Sequence, residues 1–348
     1  METYGVKYIG SKKTLLKHIG DVFDGLEAKT ALDAFSGTTR VAQYLRQKGI
    51  QTTTSDLSWA TTAYANTYVH NGNNSHLQEF VDAMNAVDPV RGWLSENYTG
   101  DTPQDHPRGD GRCFQLMNTM KADAARDYIE TLDLEPWEKH TLITALIRGL
   151  DAVDNTVGIQ QAYLKEWCSR SFKPVRFELP VCLEGPTATH HEGDTLKIAY
   201  GGHDVVYLDP PYSPHPYSTY YHIWDSIARW DKPETALKAK RRVDRVAKHD
   251  QFDETMQSPW NRASKAAEAF DQLLGRLDTN HFVISYSNES IVNEEQLLDI
   301  CASHGSVNLF KIDYGRNIMS QIGNAKLHQE PEAGQRNKEL LITVSRTN

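Results

Sequence analysis

The stretch "DVVYLDPPYSPHPY", Asp204 to Tyr217, decides how this chain is read. Its apolar run, Val205-Val206-Tyr207-Leu208, predicts a buried strand. The strand runs straight into an acid, Asp209, then Pro210, Pro211 and Tyr212. A carboxylate at the carboxyl end of such a strand lies on the ligand-binding edge of an open α/β sheet. Two prolines hold φ near one value and lack N–H donors, so the turn is rigid while its carbonyls remain acceptors. Asp209 and the Pro210 carbonyl thus offer two fixed acceptors, an array that suits a planar amino group. Tyr212 adds a ring able to stack on the heterocycle that bears the amine. A plain strand end rarely needs two prolines between an acid and an aromatic.

Outward from this stretch, strands and helices alternate. "TALDAF" (Thr30 to Phe35) and "IQTTTSD" (Ile50 to Asp56) read as strands. Between them "SGTTRVAQYLRQKG" is a loop entering a helix that turns Val41, Tyr44 and Leu45 to one face. "LSWATTAYANTYVHN" is helical, and alternation of this kind implies a parallel sheet. "DTLKIA", "HFVISYSN" (His281 to Asn288), "VNLFKIDY" and "KELLITVSR" supply further strands. The last two are read as antiparallel neighbours joined by the loop "GRNIMSQIGNAKLHQEPEAGQRN". Asp33 and Asp56 each end a strand, with a Gly37 turn after the first. Such a turn faces the crevice beyond the strand ends, and an acid at the next strand end is where a ribose is held in Rossmann-like folds. The competing role for Asp56 is to cap the following helix.

Residues 71–188 differ, with helical patterns such as "HTLITALIRGLDAVDN" and few strands, and read as an insertion. Within it "ENYTGDTPQDHPRGDGR" is a loop, and "DNTVGIQQAYLKEW" (Asp154 to Trp167) sets polar groups and a tyrosine in a helical context, to face a partner or to pack. A net charge of −9 excludes coating of nucleic acid by bulk electrostatics but not a local basic groove. "KAKRRVDRVAK", from Lys238 to Lys248, is the candidate groove, against the plainer reading of a solvated helix face. The four cysteines (Cys113, Cys168, Cys182, Cys301) form no CxxC pair and read as buried free thiols, with no metal site. No apolar run is long enough to span a membrane, and "METYGVKYIGSKK" lacks the apolar core of a signal peptide, so a cytoplasmic protein is expected.

DPPY resembles the catalytic motif of amino-methyltransferases that use S-adenosyl-L-methionine. The wider pattern is similar to the Dam-like, alpha-group N6-adenine DNA methyltransferases. "KYIGSKKTLL" resembles that family's N-terminal segment and aligns Lys7, Tyr8, Gly10, Ser11 and Lys12. Its acid-x-F-x-G loop matches Asp33, Phe35 and Gly37, its ribose acid Asp56, and an acid before the catalytic strand Asp194. The resemblance covers residues 4–70 and about 190–345. Thr39 stands where a second glycine is frequent, Tyr8 for a tryptophan and Ser11 for a glycine.

The resemblance implies a Rossmann-like class I methyltransferase fold with a mostly parallel seven-stranded sheet. The catalytic domain would be residues 1–70 plus 189–348, with a mainly helical target-recognition domain at 71–188. It implies a catalytic Asp209-Pro210-Pro211-Tyr212. Tyr8, Lys12, Asp33, Phe35, Gly37, Asp56, Asp194 and Asp209 would bind the cofactor. The expected substrate is a flipped adenine in double-stranded DNA, with a cognate restriction endonuclease acting separately. Tyr217, Tyr220 and Tyr221 would line the pocket or pack around its loop. The competing readings are the same chemistry on RNA or another base, and a DNA-binding paralogue without catalysis. Asp at the first motif position weighs against RNA and protein amides, where Asn is usual, and an intact motif weighs against loss of catalysis.

Overall fold

The computed structural model describes residues 1–69, 72–99, 113–164, 166–236, 241–254, 257–313 and 338–346. Most of the loop expected at 96–112, the whole connection 315–337, and Lys238 and Lys240 lie outside the described residues.

The strands are β1 (Thr30–Asp33), β2 (Gln51–Asp56), β3 (Thr189–Glu192), β4 (His203–Leu208), β5 (Thr279–Ser287), β6 (Ser306–Asp313) and β7 (Lys338–Ser345). They form one seven-stranded sheet in the order β3-β2-β1-β4-β5-β7-β6. The first five are parallel, and β7 runs antiparallel to both β5 and β6. The expected antiparallel closing pair is therefore present, with β7 also inserted against β5. The strand order reverses between β1 and β4, where an open sheet parts to form a ligand crevice.

Successive residues of the central strands enter different cores, as a period of two requires. Ala31, Val205, Tyr207, Val283 and Leu341 pack with α1 (Leu16–Gly25) and α2 (Arg40–Gln47). Leu32, Val206, Leu208, Phe282, Ile284 and Ile342 share a second core with helices Ala263–Arg276 and Glu294–Ala302. The third core joins α3 (Trp59–Tyr68) to α4 (Gln78–Ala86), α5 (Trp93–Tyr98), α6 (Leu116–Glu130) and α7 (Pro136–Val153). Following α8 (Tyr217–Tyr220), α9 (His222–Arg229) adds Ile223, Trp224 and Ile227 to the same core. The remaining helices are α10 (Ala263–Arg276) and α11 (Glu294–Ala302).

Three local expectations are corrected. "DTLKIA" is a turn, and the strand lies earlier, at Thr189–Glu192, beside β2. The Asp194 carboxylate accepts the Leu196 N–H (3.1 Å) and its carbonyl those of Lys197 and Ile198, so the acid folds the chain on itself. The described residues of 154–167 are irregular rather than helical. Asp154, Asn155 and Thr156 are buried: Asp154 accepts from Lys7 and Thr156, and the Asn155 side-chain oxygen accepts the Cys168 N–H. The described part of the basic run holds only one 3-10 turn, Val243–Arg245, and not the solvated helix face or the open groove. Arg242 and Arg245 are buried, and with Arg229 they lie 4.0–5.3 Å from the Trp59 ring centroid. Arg242 is further held by Asp231 and Asp244 (2.7 and 2.9 Å), so its charge is spent inside the fold. Cys113 and Cys301 are buried as read, but Cys168 and Cys182 are only partly so, and all four are free thiols. No helix among the described residues is long and apolar enough to cross a membrane.

Candidate active site

Strand register brings three acids together. Asp33, the last residue of β1, pairs with Thr54 on one side and Tyr207 on the other. Asp56 and Asp209 each stand two residues past those partners, so they flank Asp33 at the strand ends. A cleft of about 1300 Å³, counting its open mouth, lies over them. Tyr8, Lys12, Asp33, Phe35, Gly37, Asp56, Asp194, Asp209, Pro211 and Tyr212 all line it. Of the residues expected to be catalytic or to bind the cofactor, Pro210 alone is not in the lining, and it is buried.

The three acids are held differently. Asp33 is 1 % exposed and, among the described residues, neither of its carboxylate oxygens has a hydrogen-bond partner. Burial, followed by the charges of Asp209 and Asp56, pushes its pKa up to about 8. Asp56 accepts the Gly37 N–H (2.8 Å) and the Ser58 N–H (2.9 Å). Burial raises it to about 6, and those backbone bonds hold it back from rising further. The cap of α3 is Ser58, which accepts the Thr61 N–H, so Asp56 is free of the competing capping role. Asp209 is anchored by Lys12, whose Nζ is 2.9 Å from Oδ1. Burial raises Asp209 to about 7, with Lys12 opposing and Glu339 assisting. Burial alone would lower the Lys12 pKa, but the two carboxylates overcome it and keep the amine protonated.

The turn after β1 needs unusual backbone. Gly37 has φ +49° and the Tyr8 ring covers it, so an added Cβ would lie 3.3 Å from that ring. Thr39, where a second glycine was noted as frequent, takes the left-handed conformation itself, at φ +61°. A β-branched residue there is strained, at a cost on the order of 1–3 kcal/mol. The Gln43 side-chain amide, which donates to Thr39 Oγ1 (3.0 Å), helps to hold it.

Tyrosines build the wall opposite the acids. Tyr8 stacks on Tyr221 with centroids 4.3 Å apart and meets Tyr217 at 5.5 Å. Tyr221 Oη accepts the Ile9 N–H (2.7 Å), pinning the N-terminal segment to the chain that follows DPPY. Tyr217 and Tyr221 line the cleft and Tyr220 does not. Phe35 packs edge-on against Trp260 (5.1 Å), which also lines it.

Sequence reading missed Glu339, Asp225 and Trp260. Glu339 had a signal: it is one acid inside the apolar run "KELLITV", and a buried charge needs a partner. Asp225 also faces the cleft, bound to Ser58 Oγ at 2.6 Å. It sits on α9 among apolar residues and only the fold turns it inward. Trp260 lies in the 3-10 turn Pro259–Asn261 just before α10, too short to show a period.

The family model for D12 class N6 adenine-specific DNA methyltransferases matches residues 8–300. The chain belongs to that family. Among curated relatives it is similar to "Modification methylase LlaI" of Lactococcus lactis subsp. lactis, 28% identical over 351 residues. That match takes in 93% of this chain and 54% of the relative. It is likewise similar to "Modification methylase StsI" of Streptococcus sanguinis, 26% identical, with 92% and 50% covered. The chain thus spans about half the length of these two. "Type II methyltransferase M.NlaIII" of Neisseria lactamica is 24% identical, with 89% of this chain and 92% of the relative covered. In this D12-class chain the acid-x-F-x-G loop, the second-strand acid and DPPY meet at one sheet edge. Glu339 lies beyond the matched span.

Proposed function

We propose that the chain transfers a methyl group from S-adenosyl-L-methionine to N6 of an adenine at a specific site in double-stranded DNA. The observation that carries this reading is the pairing, in one cleft, of an orphaned buried carboxylate with the anchored acid of DPPY. Asp33 suits a cationic ammonium group, which would supply the partner its oxygens lack. Asp56 suits a ribose, while Tyr8, Phe35, Gly37 and Asp194 complete the cofactor side. These residues fit S-adenosyl-L-methionine. When bound, the cofactor supplies an electrophilic methyl group on a sulfonium.

Asp209 and the Pro210 carbonyl act on the other reactant. The lone pair of the adenine amine is delocalised into the ring, which makes it a poor nucleophile. Hydrogen bonds from N6–H to these two acceptors favour a more tetrahedral nitrogen and localise that lone pair. The gain is one of positioning and electrostatics, with no covalent adduct to the protein. The methylated amine then loses its proton to water, so Asp209 need not serve as a base. A paired adenine has to leave the stack, at about a few kcal/mol, and Tyr212 is the ring assigned to hold it. Residues 71–188 would select the target as a recognition domain inserted into a catalytic domain of 1–70 and 189–348. The names of the relatives, modification methylases and Type II methyltransferases, support a partnership with a separate restriction endonuclease; the cytoplasm is the proposed setting.

Expression in a host without adenine methylation, followed by single-molecule sequencing, tests this directly. The expected result is N6-methyladenine at one recurring sequence; folded protein that leaves the DNA unmodified refutes it. Asp56→Ala is expected to weaken cofactor binding about 10- to 100-fold, the scale of one charged hydrogen bond. Unchanged affinity by calorimetry would remove the ribose role.

A further inference from the structure

Lys12 has two carboxylates, and only one of them belongs to DPPY. Its Nζ lies 2.9 Å from Asp209 Oδ1 and 2.8 Å from Glu339 Oε1. Glu339 stands on β7, accepts a hydrogen bond from Ser285 Oγ on β5, and is 5 % exposed, as is Lys12. A second buried carboxylate behind the first is costly to keep. Its effect on the first gives a reason for it. Asp209 and Lys12 alone would make a neutral pair, with the ammonium drawing on the acceptor meant for substrate. With Glu339 the cation is shared, and one net negative charge remains on the three side chains.

We infer that Glu339 is a positioning residue, holding Lys12 so that the ammonium orients Asp209 without quenching it as a hydrogen-bond acceptor. The inference rests on the reading of Asp209 as acceptor for the substrate amine. Among the described residues the groups that face Asp209 are Lys12 from the turn before α1, Glu339 from β7, Asp33 from β1, Tyr207 from β4, and Tyr217 from α8; Tyr212 stands across Lys12. Lys12 is the one cation in this set and Glu339 the acid that shares it.

The test is the pH profile of kcat at saturating cofactor. It uses duplex DNA from a host without adenine methylation and compares the full chain with Glu339→Gln and Glu339→Asp. Glu339→Gln keeps the shape and removes the charge. The limb set by Asp209 is expected to move to lower pH by about one unit, as loss of one nearby anion implies. The plateau is expected to fall roughly tenfold, as for a weakened preorganised contact. Glu339→Asp, which keeps the charge, returns the limb towards that of the unchanged protein. A packing defect would lower kcat at every pH and leave the limb in place, and that outcome overturns the inference. Titration of the Asp209 carboxyl by ¹³C NMR, assigned with Asp209→Asn, reads the same point without turnover. A lower pKa in Glu339→Gln supports the inference and an unchanged one refutes it. If the unchanged protein methylates no DNA, the proposed function fails while this titration still decides the role of Glu339.

Discussion

Asp209→Ala is expected to lower methyl transfer to DNA by at least about a hundred- to thousandfold, the scale of removing one preorganised catalytic hydrogen bond. The fold is expected to survive, because Lys12 retains Glu339 as partner and the strand below stays packed by Val205, Val206, Tyr207 and Leu208. Asp209→Asn makes the test sharper. It keeps one acceptor and the shape but gives up the charge, so activity should still fall steeply. Stability should change in the opposite direction. Burial raises the folded pKa of Asp209 to about 7, well above the ordinary carboxylate value. Stability intact below about pH 4 is therefore lost as pH rises through 7, since ionised Asp209 is worse solvated folded than unfolded. Asp209→Asn removes that loss, so its melting temperature above pH 7 should exceed that of the unchanged protein. A variant both less active and more stable marks a residue kept for chemistry. Tritiated methyl incorporation at the unchanged rate would remove Asp209 from the reaction.

Asp33→Asn is expected to weaken S-adenosyl-L-methionine binding by roughly a hundredfold, the loss of a buried charged partner. The pH dependence carries the stronger signature. With its pKa near 8, Asp33 is mostly protonated in the ligand-free protein at pH 7. A cationic ligand favours the carboxylate, so binding expels the proton. Affinity should rise with pH by up to tenfold per unit below 8 and level off above it. Calorimetry in buffers of different ionisation enthalpy should show close to one proton released per cofactor at pH 7. In Asp33→Asn both the release and the slope should disappear. Affinity in the unchanged protein that is flat from pH 6 to 9 would contradict this role. In the ligand-free protein the sign is the same as for Asp209: stability falls as pH rises towards 8, and Asp33→Asn flattens that fall.

The site was readable where local chemistry and strand ends coincide. Asp33, Asp56 and Asp209 each close an apolar or β-branched run, and parallel pairing then places them side by side without further information. Gly37 was readable because only a residue tolerant of positive φ suits that turn. The rest depended on contacts distant in sequence. Nothing local in "KAKRRVDRVAK" says that Arg242 and Arg245 fold onto Trp59, nearly two hundred positions earlier. "DTLKIA" alternates like a strand, and the turn that Asp194 makes through its own side chain outweighs that pattern. Glu339 looked like part of a closing strand until Lys12, from the other end of the chain, was found against it.

That last contact bears on synthesis at the ribosome. Lys12 is made 197 residues before Asp209, and Glu339, on β7, 130 residues after it. Among the described residues β6 pairs with β7 alone, and β7 lies between β5 and β6. Until residue 339 has emerged, the nascent protein has the acid of its DPPY motif but only half of the cradle around Lys12. Pairings of this sequence separation form slowly. The cradle around Lys12 is therefore completed in one step, when β7 pairs between β5 and β6.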